Sequence, residues 1–321
     1  MCTRVLWNRP GQPVLVARNM DWKTDMPTAL WAMPHAIERH GLRDDPNPLT
    51  WHSRHNSVVA SVYDGATSDG VNEHGLAGHI LWLAECDFGD RDTALPGLSA
   101  SMWLQFVLDR FATVAECVGY MRDHPFQVRG QQMTGTAGAT IHLGLEDATG
   151  DTAVVEYLRG EPVVHHGRAY TTLTNSPTYD EQLAHLADYD GFGGDSPLPG
   201  TTDAADRFVR AAYYLARLPE PDDDGHAYAS LLSVVRNAAQ PFNATADPDQ
   251  PNNSATIWST LTDLTNGVYA FASSRRPDIV WTRLDRLDFS APRRLDPLTP
   301  GLVGDVSDAY RRAEPFAFAS A

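Results

Sequence analysis

Between residues 140 and 174 the chain alternates short runs of strand-forming residues with tight turns, and that rhythm confines it to antiparallel sheet. The runs fall at 141–145, 153–158, 163–165 and 170–174. They are separated by Asp147-Ala148-Thr149-Gly150-Asp151, by Arg159-Gly160 and by a Gly-containing link. A turn of two to five residues reverses the chain. A parallel crossover needs a dozen or more.

The same signals recur along the chain. Arg4-Val5-Leu6-Trp7 and Val14-Leu15-Val16-Ala17-Arg18 flank the turn-rich Asn8-Arg9-Pro10-Gly11-Gln12 and predict a hairpin. Centred on Pro10, that hairpin sets Cys2 across from Arg18. Strands are predicted at 57–63 and 76–83, with Asp64-Gly65 and Asn72-Glu73-His74-Gly75 as turns. A helix over 99–111 is followed by a second opening at Thr113-Val114-Ala115-Glu116, a capping-box pattern. Helices return over 204–218, with Asp203 as N-cap, and over 228–239. A last hairpin, 256–264 with 268–272 around Thr265-Asn266-Gly267, precedes a strand at 279–284. Blocks of antiparallel strands alternating with helices define an α+β chain of two sheets flanked by helix layers. Asp222-Asp223-Asp224-Gly225 and 246–253 are expected as surface loops rather than linkers, so residues 1–321 are expected to form a single domain.

Charge narrows the partners. With 25 Lys plus Arg against 41 Asp plus Glu, the formal charge of −16 opposes binding to nucleic acid or an anionic membrane surface. No apolar run reaches the roughly 18 residues of a membrane span. Met1-Cys2-Thr3-Arg4 leads directly into strand-like residues without a secretory leader, so the chain as numbered is expected in the cytoplasm, or in the periplasm if a leader preceded it. Cys2, Cys86 and Cys117 are too few for a disulfide framework, and their spacing matches no zinc site.

Cys2 has a second property. Removal of Met1 would place a thiol and a free α-amine on one residue. The amine, with a reference pKa of about 7.7–8.0, is suited to accept the thiol proton and return it to a leaving amine. A neighbouring Arg18 would favour thiolate, and Asp21 would orient the ammonium. The residues alone leave another reading open, in which Cys2 is a small strand residue and Arg18 and Asp21 form a surface ion pair.

Five ordered blocks carry a resemblance. Cys2-Thr3-Arg4, Arg18-Asn19-Met20-Asp21-Trp22, Asp69-Gly70-Val71-Asn72-Glu73-His74-Gly75-Leu76, Thr174-Asn175-Ser176-Pro177-Thr178-Tyr179-Asp180, and Leu198-Pro199-Gly200 leading to Asp206-Arg207-Phe208-Val209-Arg210 resemble the choloylglycine hydrolase family across nearly the whole chain. That family of N-terminal-nucleophile amidohydrolases includes penicillin V acylases and conjugated bile salt hydrolases. The resemblance implies a four-layer αββα sandwich, a Cys2 nucleophile supported by Arg18 and Asp21, Asn175 as an oxyanion donor, and Arg207 completing the polar site, with no cofactor or metal. By itself Asn175 also suits a turn, and Arg207 also suits a helix surface beside Arg210.

The chain departs from the bile salt hydrolases in two places. Trp82 stands where they carry an asparagine, so the second oxyanion donor is expected to be a backbone N–H, that of Trp82. The Trp82 and Trp22 side chains then become candidate walls of an apolar acyl pocket, worth about 0.8 kcal/mol per buried CH₂ of substrate, unless both are core residues. The stretch between Asn175 and Arg207 is also shorter, leaving homo-oligomer formation open. Both features resemble the Gram-negative penicillin V acylase branch, whose members also cleave long-chain N-acyl homoserine lactones. The expected partner is therefore a small N-acyl amide. Rival readings are a conjugated bile salt hydrolase and a non-catalytic acyl-ligand-binding protein. His35, Glu38 and His40, and the pair His165-His166, supply no recognised metal set. Asn243-Ala244-Thr245 and Asn252-Asn253-Ser254 match glycosylation acceptors by chance.

Overall fold

A computed structural model describes residues 1–130, 139–189, 197–242 and 254–319. Its centre is the hairpin of β1 (Cys2–Trp7) and β2 (Leu15–Trp22), whose residues are buried on both faces except Trp22 at the end. The first sheet has seven strands, ordered Thr172–Leu173, β1, β2, Ala255–Asp263, Val268–Ser273, Ile279–Arg283 and Gly304–Asp305. The second has nine, ordered Glu161–His166, Thr152–Leu158, Ile141–Glu146, Ala77–Trp82, Ala66–Asn72, Ser57–Val62, Leu30–Met33, Arg293–Leu295 and Arg311–Arg312.

Side-chain alternation along the strands then assigns the layers. Leu6, Val16 and Met20 turn toward Ala77, Leu81 and Val154 of the second sheet, forming the core between the sheets. Their neighbours Val5, Trp7, Leu15 and Ala17 turn the other way. These pack on α4 (Ala204–Ala216) and α5 (Asp224–Asn237) through Ala211, Leu231 and Val234. The far face of the second sheet covers α1 (Trp103–Arg110) and α2 (Val114–Asp123), with Leu143, Val155 and Tyr157 against Trp103, Leu104 and Val114. Three apolar layers between four structural layers make the αββα sandwich. Each fully buried large side chain contributes about 1.5–3 kcal/mol.

Several expectations change. The hairpin turn is longer than one centred on Pro10, so Cys2 pairs with Met20 and Arg4 with Arg18. A two-residue slip preserves side-chain facing, where a one-residue slip would have inverted it. The 170–174 run leaves its meander: Thr172–Leu173 crosses to the first sheet and pairs with β1, Arg4 opposite Leu173. Asp222-Asp223-Asp224-Gly225 is not a loop but the start of α5. The Asp223 carboxylate accepts from the His226 N–H, where the helix dipole favours acidic residues. The 246–253 segment lies outside the described residues. An unanticipated α3 (Tyr179–Ala187) begins at a capping box of Thr178 and Glu181. Strand Ala66–Asn72 also went unread because Thr-Ser-Asp-Gly is poor strand sequence. Gly70 is required there, since a Cβ would lie 2.6 Å from the Val58 carbonyl oxygen.

Candidate active site

The outer end of β1 gathers four chain segments around Cys2. Because Cys2 and Arg18 share the inner face of the hairpin, the Arg18 Nη2 reaches the Cys2 Sγ at 3.3 Å despite the changed register. Arg18 is fully buried and held from the second sheet. Its Nη2 donates to the Ile80 carbonyl at 2.7 Å, and its Nη1 to the Ser68 carbonyl and hydroxyl at 3.1 Å each. Nη1 also lies 3.3 Å from Asp69 Oδ2, and the guanidinium stacks over Trp258. Burial alone lowers the pKa of this guanidinium, but Cys2 and Asp69 outweigh it and hold Arg18 charged.

Asp21 lies on the opposite face of β2. Its carboxylate accepts from Thr256 Oγ1 at 2.5 Å and Gln240 Nε2 at 2.8 Å, and stands 3.8 Å from Arg207 Nη1. Its backbone brackets Met1: the Asp21 N–H donates to the Met1 carbonyl at 2.7 Å, and the Met1 amine donates to the Asp21 carbonyl at 2.5 Å. Met1 is buried, and that burial lowers the pKa of its amine.

The crossing strand Thr172–Leu173 delivers Asn175. Its Oδ1 accepts from the Cys2 N–H at 2.5 Å and from Arg207 Nη2 at 3.0 Å, while its Nδ2 donates to the Trp82 carbonyl at 2.6 Å. Gln182 of α3 donates to the Asn175 carbonyl, and His142, paired with Glu156, bonds the Thr174 carbonyl. Arg207, on α4, is fully buried and donates to the Cys2 carbonyl, to Thr3 Oγ1 and to the Thr202 carbonyl. Arg210 instead donates to the carbonyls of Pro199 and Thr201, away from Cys2.

Cys2, Arg18, Asn175 and Arg207 therefore meet directly. Asp21 joins through Arg207 and through its backbone. Trp22 and Trp82 are half-buried rather than core residues, and Trp22 Nε1 donates to the Tyr63 hydroxyl at 2.5 Å. A cavity of about 250 Å³ opens beside Trp258 and Met26, but neither Trp22 nor Trp82 lines it. Sequence reasoning missed Ser68, Asp69, Gln182, Gln240, Thr256 and Trp258. Asp69 stood in a recognised block without a role, whereas Gln240 and Thr256 sit in no motif.

The remaining candidates disperse. His35 bonds Asn56, Glu38 lies by His40, His165 by Asp180 and His166 by Asp151. Among the described residues, the group that brings three donors together is His55, Glu73 and His74, at the surface. Glu73 is engaged by Asn56, and the two imidazoles pack edge to face. Cys86 and Cys117 are buried, and burial pushes both thiols up to about 12.

An αββα sandwich with a cysteine opening an interior strand of the first sheet defines an N-terminal-nucleophile type of hydrolase. Residues 2–299 match the choloylglycine hydrolase family of linear amide C–N hydrolases, and the chain belongs to that family. It is an enzyme that hydrolyses linear amide bonds. A penicillin V acylase of Pectobacterium atrosepticum is 40% identical, over 99% of this chain and 92% of that protein. The structure of penicillin V acylase from Agrobacterium tumefaciens superposes with a TM-score of 0.91 at 43% identity, covering 100% of both chains. A conjugated bile acid hydrolase of Clostridium perfringens shares the fold, with a TM-score of 0.79 at 20% identity over 92% of this chain and 97% of that one. Among the described residues no helix is long and apolar enough to cross a membrane.

Proposed function

We propose that the mature chain starts at Cys2, works as a single domain and cleaves N-acyl amides of the penicillin V and long-chain N-acyl homoserine lactone type through a thioester on Cys2. The observation that carries this reading is the 3.3 Å contact between the buried Arg18 guanidinium and Cys2 Sγ, with the Cys2 nitrogen fixed by Asn175. In this scheme the α-amine freed by loss of Met1 takes the thiol proton. The thiolate attacks the acyl carbonyl. The resulting oxyanion is met by Asn175 Nδ2, now released from the Trp82 carbonyl, and by the Trp82 N–H, donors of a kind that each contribute about 100- to 1000-fold. Collapse breaks the C–N bond, and the α-ammonium protonates the departing amine. Water, deprotonated by the same α-amine, then cleaves the thioester and releases the carboxylic acid. Arg207 holds the Cys2 carbonyl and Asn175 Oδ1 in register, and Asp21 supports Arg207.

Penicillin V is favoured by the likeness to two penicillin V acylases and by two half-buried indoles, Trp82, whose carbonyl accepts from Asn175, and Trp22, two residues beyond the cross-strand partner of Cys2. Parallel assays of penicillin V, a long-chain acyl homoserine lactone and glycocholate test it. The reading predicts turnover of the first two, lost by more than about 1000-fold in Cys2→Ser with the fold retained. Preferential cleavage of glycocholate, or a fully active Cys2→Ala variant, overturns it.

A further inference from the structure

A line of buried charge runs between the two sheets behind Cys2, and the hydrolytic scheme uses only its first member. Arg18 Nη1 lies 3.3 Å from Asp69 Oδ2. The same carboxylate oxygen is 2.6 Å from His79 Nδ1, and His79 Nε2 is 2.5 Å from Glu146 Oε1. Glu146 Oε2 is in turn 3.4 Å from Arg4 Nε. All five side chains are fully buried or within one percent of it. The groups around the line are neutral: the Tyr269 and Thr260 hydroxyls donate to Asp69, and the Thr152 hydroxyl accepts from Arg4.

We propose that Asp69, His79 and Glu146 are positioning residues for the nucleophile: with Arg4 they form an alternating ion chain that holds the Arg18 guanidinium against Cys2 Sγ and leaves one net positive charge for the thiolate to balance. This rests on Cys2 being the nucleophile. Charge alternation explains why the chain is tolerated in an apolar layer, since a buried ion without a partner costs several kcal/mol. Three cations face two anions, so the set is balanced only when Cys2 is a thiolate. Burial acts to lower the His79 pKa, but Glu146 and Asp69 outweigh it and raise it to about 9, so the imidazolium persists at neutral pH. Without that charge, Asp69 would draw on Arg18 alone, and the thiolate would be in excess.

Two variants should move the Cys2 thiol in opposite directions. His79→Gln removes a cation, and the midpoint of iodoacetamide alkylation against pH should rise by about one unit, with kcat/KM falling about tenfold at neutral pH and KM nearly constant. Asp69→Asn removes an anion. The midpoint should fall, yet kcat should also fall because the guanidinium loses its anchor. General loosening of the fold cannot produce both signs. If either variant folds poorly, the wild-type enzyme carries the test through ¹⁵N-histidine NMR. Blocking Cys2 with iodoacetamide replaces a thiolate by a neutral thioether and should lower the His79 titration midpoint. Unchanged alkylation profiles in folded variants, or a His79 midpoint indifferent to blocking Cys2, overturn the proposal. A Cys2→Ala variant assayed alongside separates the two failures, because its full activity would sink the nucleophile assignment itself.

Discussion

Arg207 ties the nucleophile to its surroundings through the Cys2 carbonyl, Thr3, Thr202 and Asn175. A lysine cannot reproduce that fork. Arg207→Lys is therefore expected to lower kcat about 100-fold with a native circular-dichroism spectrum, whereas a near-wild-type rate would remove Arg207 from the machinery. The other two thiols provide a control. With pKa values near 12, Cys86 and Cys117 have almost no thiolate at pH 8, so peptide mapping after brief alkylation should find label on Cys2 alone. His79 gives the pH dependence of stability. Its pKa is raised from 6.5 in the unfolded chain to about 9 in the fold, so its stabilising contribution is complete below pH 6.5 and is lost as pH rises through about 9. The melting temperature should decline over that window, and less steeply in His79→Gln. At this scale the residues nearest the sulfur were legible because they sit in recognisable blocks. Asp69 was read only as part of a pattern, and His79 and Glu146 carry no local signal, since their partners come from other strands.

Elements were legible where their local chemistry was strong. The Thr265-Asn266-Gly267 hairpin and the Thr113 N-cap stand where expected, because turn and cap residues act within a few positions. The N-terminal register was misread because a long loop does not fix the pairing as a two-residue turn does, and tertiary contacts with Ala255–Asp263 and the crossing strand settle it. The strand around Asp69 depends on its glycine. Gly70→Ala should force Val58 and its strand aside, displace Asp69 and lower both melting temperature and kcat. Thr178→Ala removes half of the α3 capping box and should cost about 1 kcal/mol of stability, readable as a lowered melting temperature with kcat little changed.

Across the whole molecule, the two sheets do different work. The first supplies Cys2, Arg18 and Asp21 from one hairpin, and the second supplies the carbonyl of Ile80, the backbone of Trp82 and the anionic face behind Arg18. The departure of Thr172–Leu173 from the meander unites them, since it carries Asn175 from one sheet to the nucleophile on the other. Antiparallel pairing was readable from turn lengths, and the four layers followed from the family resemblance. Which strand changes sheet was not, because both sheets accept the same short run of strand-forming residues. The account stands on a free α-amine and a thiolate sharing Cys2. Its most direct test is intact mass and peptide mapping of the purified enzyme quenched during turnover of penicillin V. The predicted result is a chain lacking Met1 that carries the phenoxyacetyl group as a thioester on Cys2. Turnover by protein retaining Met1, or an acyl group on any other residue, would contradict it.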